Sequence, residues 1–176
     1  MKAVKNILLT GKPGTGKTTA LISAIDMIGE DAGGFYTREI RTGRERSGFE
    51  IVTLSGNKWT MASKGFKGRH RVGSYGVDIE AIDTLAAGAV LEAVGNKKII
   101  VIDEIGKMEL YSDEFKSAVL RALDSDKPVI GTIMEKSNPF ADAIRNRTDV
   151  ELVQVTEDNR GMVPGILKAK IEGLHR

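Results

Sequence analysis

The chain has 176 residues, 41% hydrophobic, 28% charged and 5% aromatic, with a formal net charge of +2; this is the balance of one globular domain, residues 1–176, and it excludes a disordered or low-complexity chain. There is no cysteine, which excludes a disulfide framework, a cysteine zinc site and a thiol nucleophile, and neither His70 nor His175 stands in a metal-ligand spacing. So small a net charge gives no argument for nucleic acid, an apolar strand begins too soon after Met1 for a secretory signal to precede it, and no apolar run approaches bilayer length, so a cytoplasmic location with no membrane partner is expected.

In chain order, Lys5 to Thr10 carries the apolar run Ile7-Leu8-Leu9 and predicts a buried parallel strand that ends in a glycine-rich turn. Leu21, Ala24, Ile25 and Ile28 then recur at helical spacing, and Gly29 closes that helix. Gly34 to Arg41 and Gly48 to Leu54 predict two strands joined by a polar turn at Gly43; after the turn Ser55-Gly56-Asn57-Lys58, a third strand runs from Trp59 to Ser63. This is an antiparallel meander set early into an alternating pattern. Lys64 to Gly76, basic and glycine-rich without a period, predicts an exposed mobile loop.

Alternation then resumes. Asp78 caps a helix with apolar positions Ile79, Ile82, Ala86, Ala89, Val90 and Ala93. Lys98 to Asp103 predicts a strand, and Ser112 caps the next helix, with Asp113 and Glu114 in its first turn. Pro128 to Ile133 and Val150 to Val155 predict two more strands, and a helix from about Gly161 to Leu174 ends the pattern, with Pro164 in its first turn. The expected class is α/β, three-layer, with a mostly parallel central sheet and an early antiparallel meander.

Gly11-Lys12-Pro13-Gly14-Thr15-Gly16-Lys17-Thr18 matches G-x-x-x-x-G-K-[ST] in full. Glycines let the backbone turn successive N–H groups toward one point, and the helix that follows adds its own free N–H groups and dipole. Lys17 supplies a mobile cation for the β- and γ-phosphates, and Thr18 a hydroxyl for Mg²⁺. Thr19 is a candidate α-phosphate contact, or equally a filler of the helix start. The reading is a nucleoside-triphosphate site.

Such a site needs a carboxylate at the tip of a buried strand to hold the magnesium shell. Ile99-Ile100-Val101-Ile102-Asp103-Glu104 provides it, with Asp103 emerging at the carboxyl end. Successive strand residues point to opposite faces, so Glu104 is given the other task, orienting or deprotonating a water, with Glu109 as a second candidate. Ile105, Gly106 and Lys107 continue the same edge; Gly106 suits a close approach and Lys107 a phosphate contact. Thr132 is weighed between a half-buried strand residue and a γ-phosphate contact. Arg145, Arg147 and Arg160 are candidate cationic stabilisers that no spacing separates. From Tyr36 to Arg71 the chain is +6, leaving −4 for the rest. That segment reads either as a solvated hairpin or as a basic flap, with Lys64, Lys67, Arg69, His70 and Arg71 closing over phosphates. Trp59 reads as core or as a base-stacking ring.

The sequence resembles the cancer-related nucleoside-triphosphatase family of small P-loop NTPases. The resemblance rests on the Gly11 to Thr18 loop, on Gly34-Phe35-Tyr36-Thr37-Arg38-Glu39 with Gly48-Phe49, and on Val72-Gly73-Ser74-Tyr75-Gly76-Val77. It rests further on Val101 to Leu110 and, more weakly, on Thr156-Glu157-Asp158-Asn159-Arg160. It implies helices on both faces of a mixed sheet and slow Mg²⁺-dependent hydrolysis of ATP, GTP, CTP and UTP with loose base selectivity. It also implies nucleotide contacts along the P-loop and along Asp103 to Lys107. Two other readings use the same loop: a small nucleotide or nucleoside kinase with a basic lid, and a nucleotide-gated module binding RNA or protein through the +6 meander. No RNA-reading motif supports the latter.

Overall fold

Burial alternates residue by residue along the apolar runs, and that alternation sets the layers. Ile7, Leu9, Ile99 and Val101 bury on one side with Leu21, Ala24, Leu167 and Ile171. Leu8, Ile100 and Ile102 bury on the other with Val90, Ala93, Phe115 and Val119. A strand whose two faces are both apolar has helices on both sides. The structure is a computed structural model describing residues 3–29 and 31–174; His175 and the chain start at Met1 lie outside the described residues.

In order, the described elements are β1 (Asn6–Thr10), α1 (Lys17–Ile28), β2 (Ala32–Thr42), β3 (Glu45–Thr53), β4 (Lys58–Ser63), β5 (Arg71–Val72) and β6 (Tyr75–Val77). A helical stretch follows: α2 (Ile79–Ala81), a π-helical segment Ile82–Ala87 and α3 (Gly88–Asn96). The rest comprises β7 (Ile99–Ile105), α4 (Asp113–Asp124), β8 (Val129–Ile133), α5 (Pro139–Arg145), β9 (Val150–Gln154) and α6 (Val163–Leu174). The strands form a nine-stranded sheet of order β5-β6-β4-β3-β2-β7-β8-β1-β9. Its centre, β2-β7-β8-β1-β9, is parallel throughout, and β3, β4, β6 and β5 extend it antiparallel from β2. Helices α1 and α6 cover one face; α3, α4 and α5 cover the other.

The predicted caps act as expected. Asp78 accepts from the Ala81 N–H and Ser112 from the Phe115 N–H. Gly29, in the left-handed region at φ 63, closes α1 by donating its N–H to the Ile25 carbonyl. Three expectations change. The segment from Lys64 to Gly76, expected as an exposed mobile loop, is loop only in its first part: Lys64 to His70 carries turns and bends, and Arg71–Val72 pairs with Tyr75–Val77 as the β5–β6 hairpin on the edge of β4. Arg71 ties it by donating to the Phe66 carbonyl at 3.0 Å and the Ser74 carbonyl at 2.8 Å, and the Tyr111 hydroxyl donates to the Arg71 carbonyl at 2.8 Å. Helix α5 was not expected; the Asn138 side chain caps it from the Phe140 and Ala141 N–H groups, with Pro139 at its start. Strand β7 continues past Asp103 to Ile105.

Candidate active site

The site lies at the carboxyl ends of the parallel strands, where β1 gives way to the glycine loop. Gly14 and Gly16 hold φ 81 and φ 92, left-handed values that side chains rarely adopt. Gly16 is the N-terminal cap of α1, with no side-chain cap and no acid in the first turn. The first N–H groups of a 12-residue helix and the positive end of its dipole therefore remain for an anion. Lys17 folds back across the loop, its Nζ donating to the Gly11 carbonyl at 2.8 Å and the Lys12 carbonyl at 3.1 Å. Thr15 Oγ1 donates to the Lys12 carbonyl at 2.9 Å, which fixes the turn over Pro13 and Gly14.

The second half of the site comes from β7. Asp103 is 1% exposed, and three donors hold its carboxylate. Thr132 Oγ1 of β8 donates to Oδ1 at 2.5 Å, Thr18 Oγ1 of the glycine loop donates to Oδ2 at 2.9 Å, and the Thr37 N–H of β2 donates to Oδ2 at 3.4 Å. Four strands or loops thus converge on one carboxylate. Burial raises its pKa above the ordinary value of 3.8, against the downward pull of Thr132, Thr18, Thr37 and Lys17. Thr132 is fully buried and spent on Asp103, so its role is to aim that carboxylate, and the γ-phosphate contact weighed from sequence gives way to it.

Glu104 and Glu109 share the field of Asp103. Burial first, then the Asp103 charge, raise the Glu104 pKa above 4.5, and Lys17 lowers it. Glu109, 3% exposed, is raised well above 4.5 by burial and by Glu104, and the Glu109 and Gly106 N–H groups pull it down. The three acids feel one another's charge, and Lys17 lowers Asp103 and Glu104 against it. The residue that makes room is Gly106: a Cβ there would lie 2.4 Å from Glu104 Oε1 and 2.7 Å from Glu104 Cγ, so the Glu104 side chain folds back over a bare backbone.

Thr18 Oγ1 and Asp103 Oδ2 form a pair of hard oxygen donors at the mouth of an anion site. Among the described residues no group of three or more His, Cys, Asp or Glu side chains is placed to hold a metal. The Thr18 and Asp103 oxygens are a donor set that suits Mg²⁺, which takes one or two protein oxygens and completes its shell with substrate phosphate and water.

The remaining candidates separate. Ile105 is fully buried in the core and its carbonyl accepts from the Met134 N–H at 3.0 Å. Lys12, Pro13, Thr19 and Lys107 are exposed. Arg145 is held by Asp142 and by the Met134 and Lys136 carbonyls, and Arg147 bridges Asp124 and Asp149, both at 2.8 Å. Both arginines serve the fold. Arg160 has no carboxylate partner among the described residues, and its Cδ lies 3.4 Å from where a Cβ on Gly16 would stand. Of the expected basic lid, Lys64 pairs with Glu45 at 3.8 Å, Arg71 is spent on carbonyls, and the His70 ring packs on Tyr111 with centroids 5.1 Å apart. Trp59 is 36% exposed on β4. Sequence reasoning missed the Thr37 N–H contact, since no local signal marks a backbone donor that serves a carboxylate 66 positions away.

Comparison with known proteins gives the family and the fold. The family described as NTPase matches residues 6–167. Nucleoside-triphosphatase THEP1 from Thermotoga maritima is 43% identical over 154 residues, 88% of each chain. The crystal structure of THEP1 from Aquifex aeolicus superposes with a TM-score of 0.85 at 36% identity, covering 97% of this chain and 99% of that one. The solution structure of a human cancer-related nucleoside triphosphatase does so with a TM-score of 0.79 at 39% identity, covering 94% and 97%.

Proposed function

The chain belongs to the NTPase family and is a nucleoside-triphosphatase, and on that premise we propose that it hydrolyses ATP, GTP, CTP and UTP to diphosphate and phosphate, with Mg²⁺ as cofactor and loose base selectivity. One observation carries the reading: the buried carboxylate of Asp103 is bonded to the glycine-loop Thr18 while Glu104 and Lys17 occupy the same field.

The residues take the following roles. The glycine loop, Gly11 to Thr18, wraps the phosphates with backbone N–H groups and the start of α1. Lys17 exchanges its two carbonyl partners for β- and γ-phosphate oxygens. Thr18 and Asp103 would hold Mg²⁺, which supplies neutralising charge to the phosphate oxygens. Thr132 and Thr37 keep Asp103 aimed. Glu104 accepts a proton from water as the water oxygen bonds to the γ-phosphorus; the bridging bond to the β-phosphate breaks, and the diphosphate leaves with its electron pair. Burial raises Glu104 toward the working pH, which suits a proton acceptor. Nothing in these contacts requires an acceptor other than water.

The test is phosphate release from each of the four triphosphates without an added acceptor, in Mg²⁺ and in EDTA. Release from all four, abolished by EDTA and restored by Mg²⁺, is expected. Consumption only when an alcohol or nucleotide acceptor is added and becomes phosphorylated would replace the hydrolase with a kinase. Undiminished release in EDTA would remove Mg²⁺ from the account.

A further inference from the structure

We infer that the loop between β9 and α6, residues 155–162, is the nucleobase subsite, and that the Arg160 guanidinium stacks on the face of the base; this rests on the triphosphatase reading above. The first argument is direction. Asp103 and Thr132 reach the site from β7 and β8, on one side of β1, and they mark the end where phosphate reacts. Strand β9 lies on the other side of β1. A triphosphate that runs from the reacting end through the glycine loop therefore delivers its nucleoside to the β9 side.

The second argument is contact. The loop after β9 is seated against the glycine loop at both ends. The Val155 N–H donates to the Thr10 carbonyl at 2.8 Å, a Cβ on Gly11 would lie 2.4 Å from the Val155 carbonyl oxygen, and the Arg160 stem lies along Gly16. The segment is also built rather than slack. The Thr156 N–H donates to Asn159 Oδ1 at 2.8 Å, Asn159 Nδ2 donates to the Gln154 carbonyl at 2.7 Å, and the Arg160 N–H donates to the Thr156 carbonyl at 3.0 Å. These bonds fix the backbone of Arg160 while its side chain stays exposed and has no ion pair among the described residues. Two residues on, Met162 is 63% exposed, the most exposed of the large hydrophobics.

The chemistry follows. A planar, weakly hydrated guanidinium and a polarizable thioether suit an aromatic face, and every base has one. The loop's amide, Asn159, is turned onto its own backbone, accepting from the Thr156 N–H and donating to the Gln154 carbonyl, so its first bonds build the loop and the stacking face is left to Arg160. A subsite that stacks without reading edges holds purines and pyrimidines alike, which gives loose base selectivity a structural cause.

The experiment measures KM, kcat and equilibrium affinity for ATP and CTP, and inhibition by inorganic tripolyphosphate, which has no base, for the wild type, Arg160→Ala and Arg160→Lys. Arg160 is exposed, so both variants are expected to fold, checked by thermal melts. The expected result is a loss of roughly tenfold to a hundredfold in nucleotide affinity and KM for both variants. The loss is larger for ATP than for CTP, kcat stays within about twofold, and tripolyphosphate inhibition is unchanged, as stacking on a base requires. Wild-type nucleotide affinity in Arg160→Ala would overturn the inference. So would equal losses for nucleotide and tripolyphosphate, which would make Arg160 a phosphate ligand, or full retention in Arg160→Lys, which would make it a plain charge. If the wild type released no phosphate, the triphosphatase reading would fall, while the affinity arm would still decide the base subsite.

Discussion

Asp103 illustrates how much of a site is made by residues that never touch substrate. Its carboxylate is almost wholly buried and accepts from Thr132, Thr18 and the Thr37 N–H. Replacing Thr132 with Val keeps the shape and removes the donor to Oδ1, which leaves a buried acceptor unsatisfied at a cost of about 1–3 kcal/mol. Denaturant melts of Thr132→Val in EDTA should show a loss of that size; an unchanged midpoint would mean that Thr132 only fills space. Gly106→Ala tests the neighbour. A Cβ at that position collides with the Glu104 carboxyl, and a misplacement of about 1 Å at a reacting group costs on the order of a hundredfold in rate. The expectation is a fall of at least tenfold in kcat with little change in KM, and an unaltered kcat would speak against Glu104 as the proton acceptor. That Lys17, Thr18, Asp103 and Glu104 come together was legible, because the glycine loop and the end of a buried strand are brought side by side by the parallel sheet. Thr37 and the true reason for Gly106 were not, because both depend on where distant or folded-back side chains arrive.

At the scale of elements, the turn that leads into β9 carries a charge pair that its sequence did not advertise, and it ties that turn to the end of α4. The Asp149 side chain is 3% exposed and bonds Arg147, which also reaches Asp124, while the Asp149 carbonyl accepts from the Lys5 and Asn6 N–H groups. Arg147 lowers the Asp149 pKa below the ordinary 3.8. A carboxylate depressed in the fold contributes stability that is present above its unfolded value and lost as pH falls through the folded one. Asp149→Asn should therefore cost about 1–3 kcal/mol at neutral pH, and its melting curve should converge on that of the wild type in acid below the folded pKa. A deficit that persists undiminished there would assign the loss to packing. Helices with strong caps and long apolar stripes, such as those begun by Asp78 and Ser112, were legible. Helix α5 was not: it has only seven residues, and Asn138-Pro139 reads equally as a loop. The β5 and β6 strands span two and three residues, too short for a period, and their glycines and bases look like a loop until β4 offers an edge.

Across the whole molecule, the segment from Tyr36 to Arg71 keeps its +6 once folded, because the acids its bases meet, Glu39, Glu45 and Glu50, are the three already counted in that sum. Arg38 pairs with Glu50, Arg41 and Arg46 both meet Glu39, and Lys64 meets Glu45. These pairs are largely exposed and contribute little stability; their effect is to hold the hairpin's cations on its own strands. The parallel centre and the two covering layers were legible from alternation, whereas the length of the antiparallel wing was not, because its last hairpin depends on long-range pairing. A site assembled from β1, β2, β7 and β8 couples ligand to the global fold. A triphosphate at a hundredfold excess over its Kd should stabilise the protein by about 2.7 kcal/mol, read as a shift in melting temperature. Lys17→Ala should erase most of that shift; an equal shift in the variant would place the nucleotide elsewhere.

The most direct test of the central claim compares phosphate release by the wild type with that of Glu104→Gln, at saturating Mg²⁺ and triphosphate, with nucleotide affinity measured in parallel. Glu104 as proton acceptor predicts a rate lower by roughly a hundredfold to ten-thousandfold with binding retained; a variant that binds and turns over like the wild type would show that the hydrolytic water is activated by another group and that this assignment of the site is wrong.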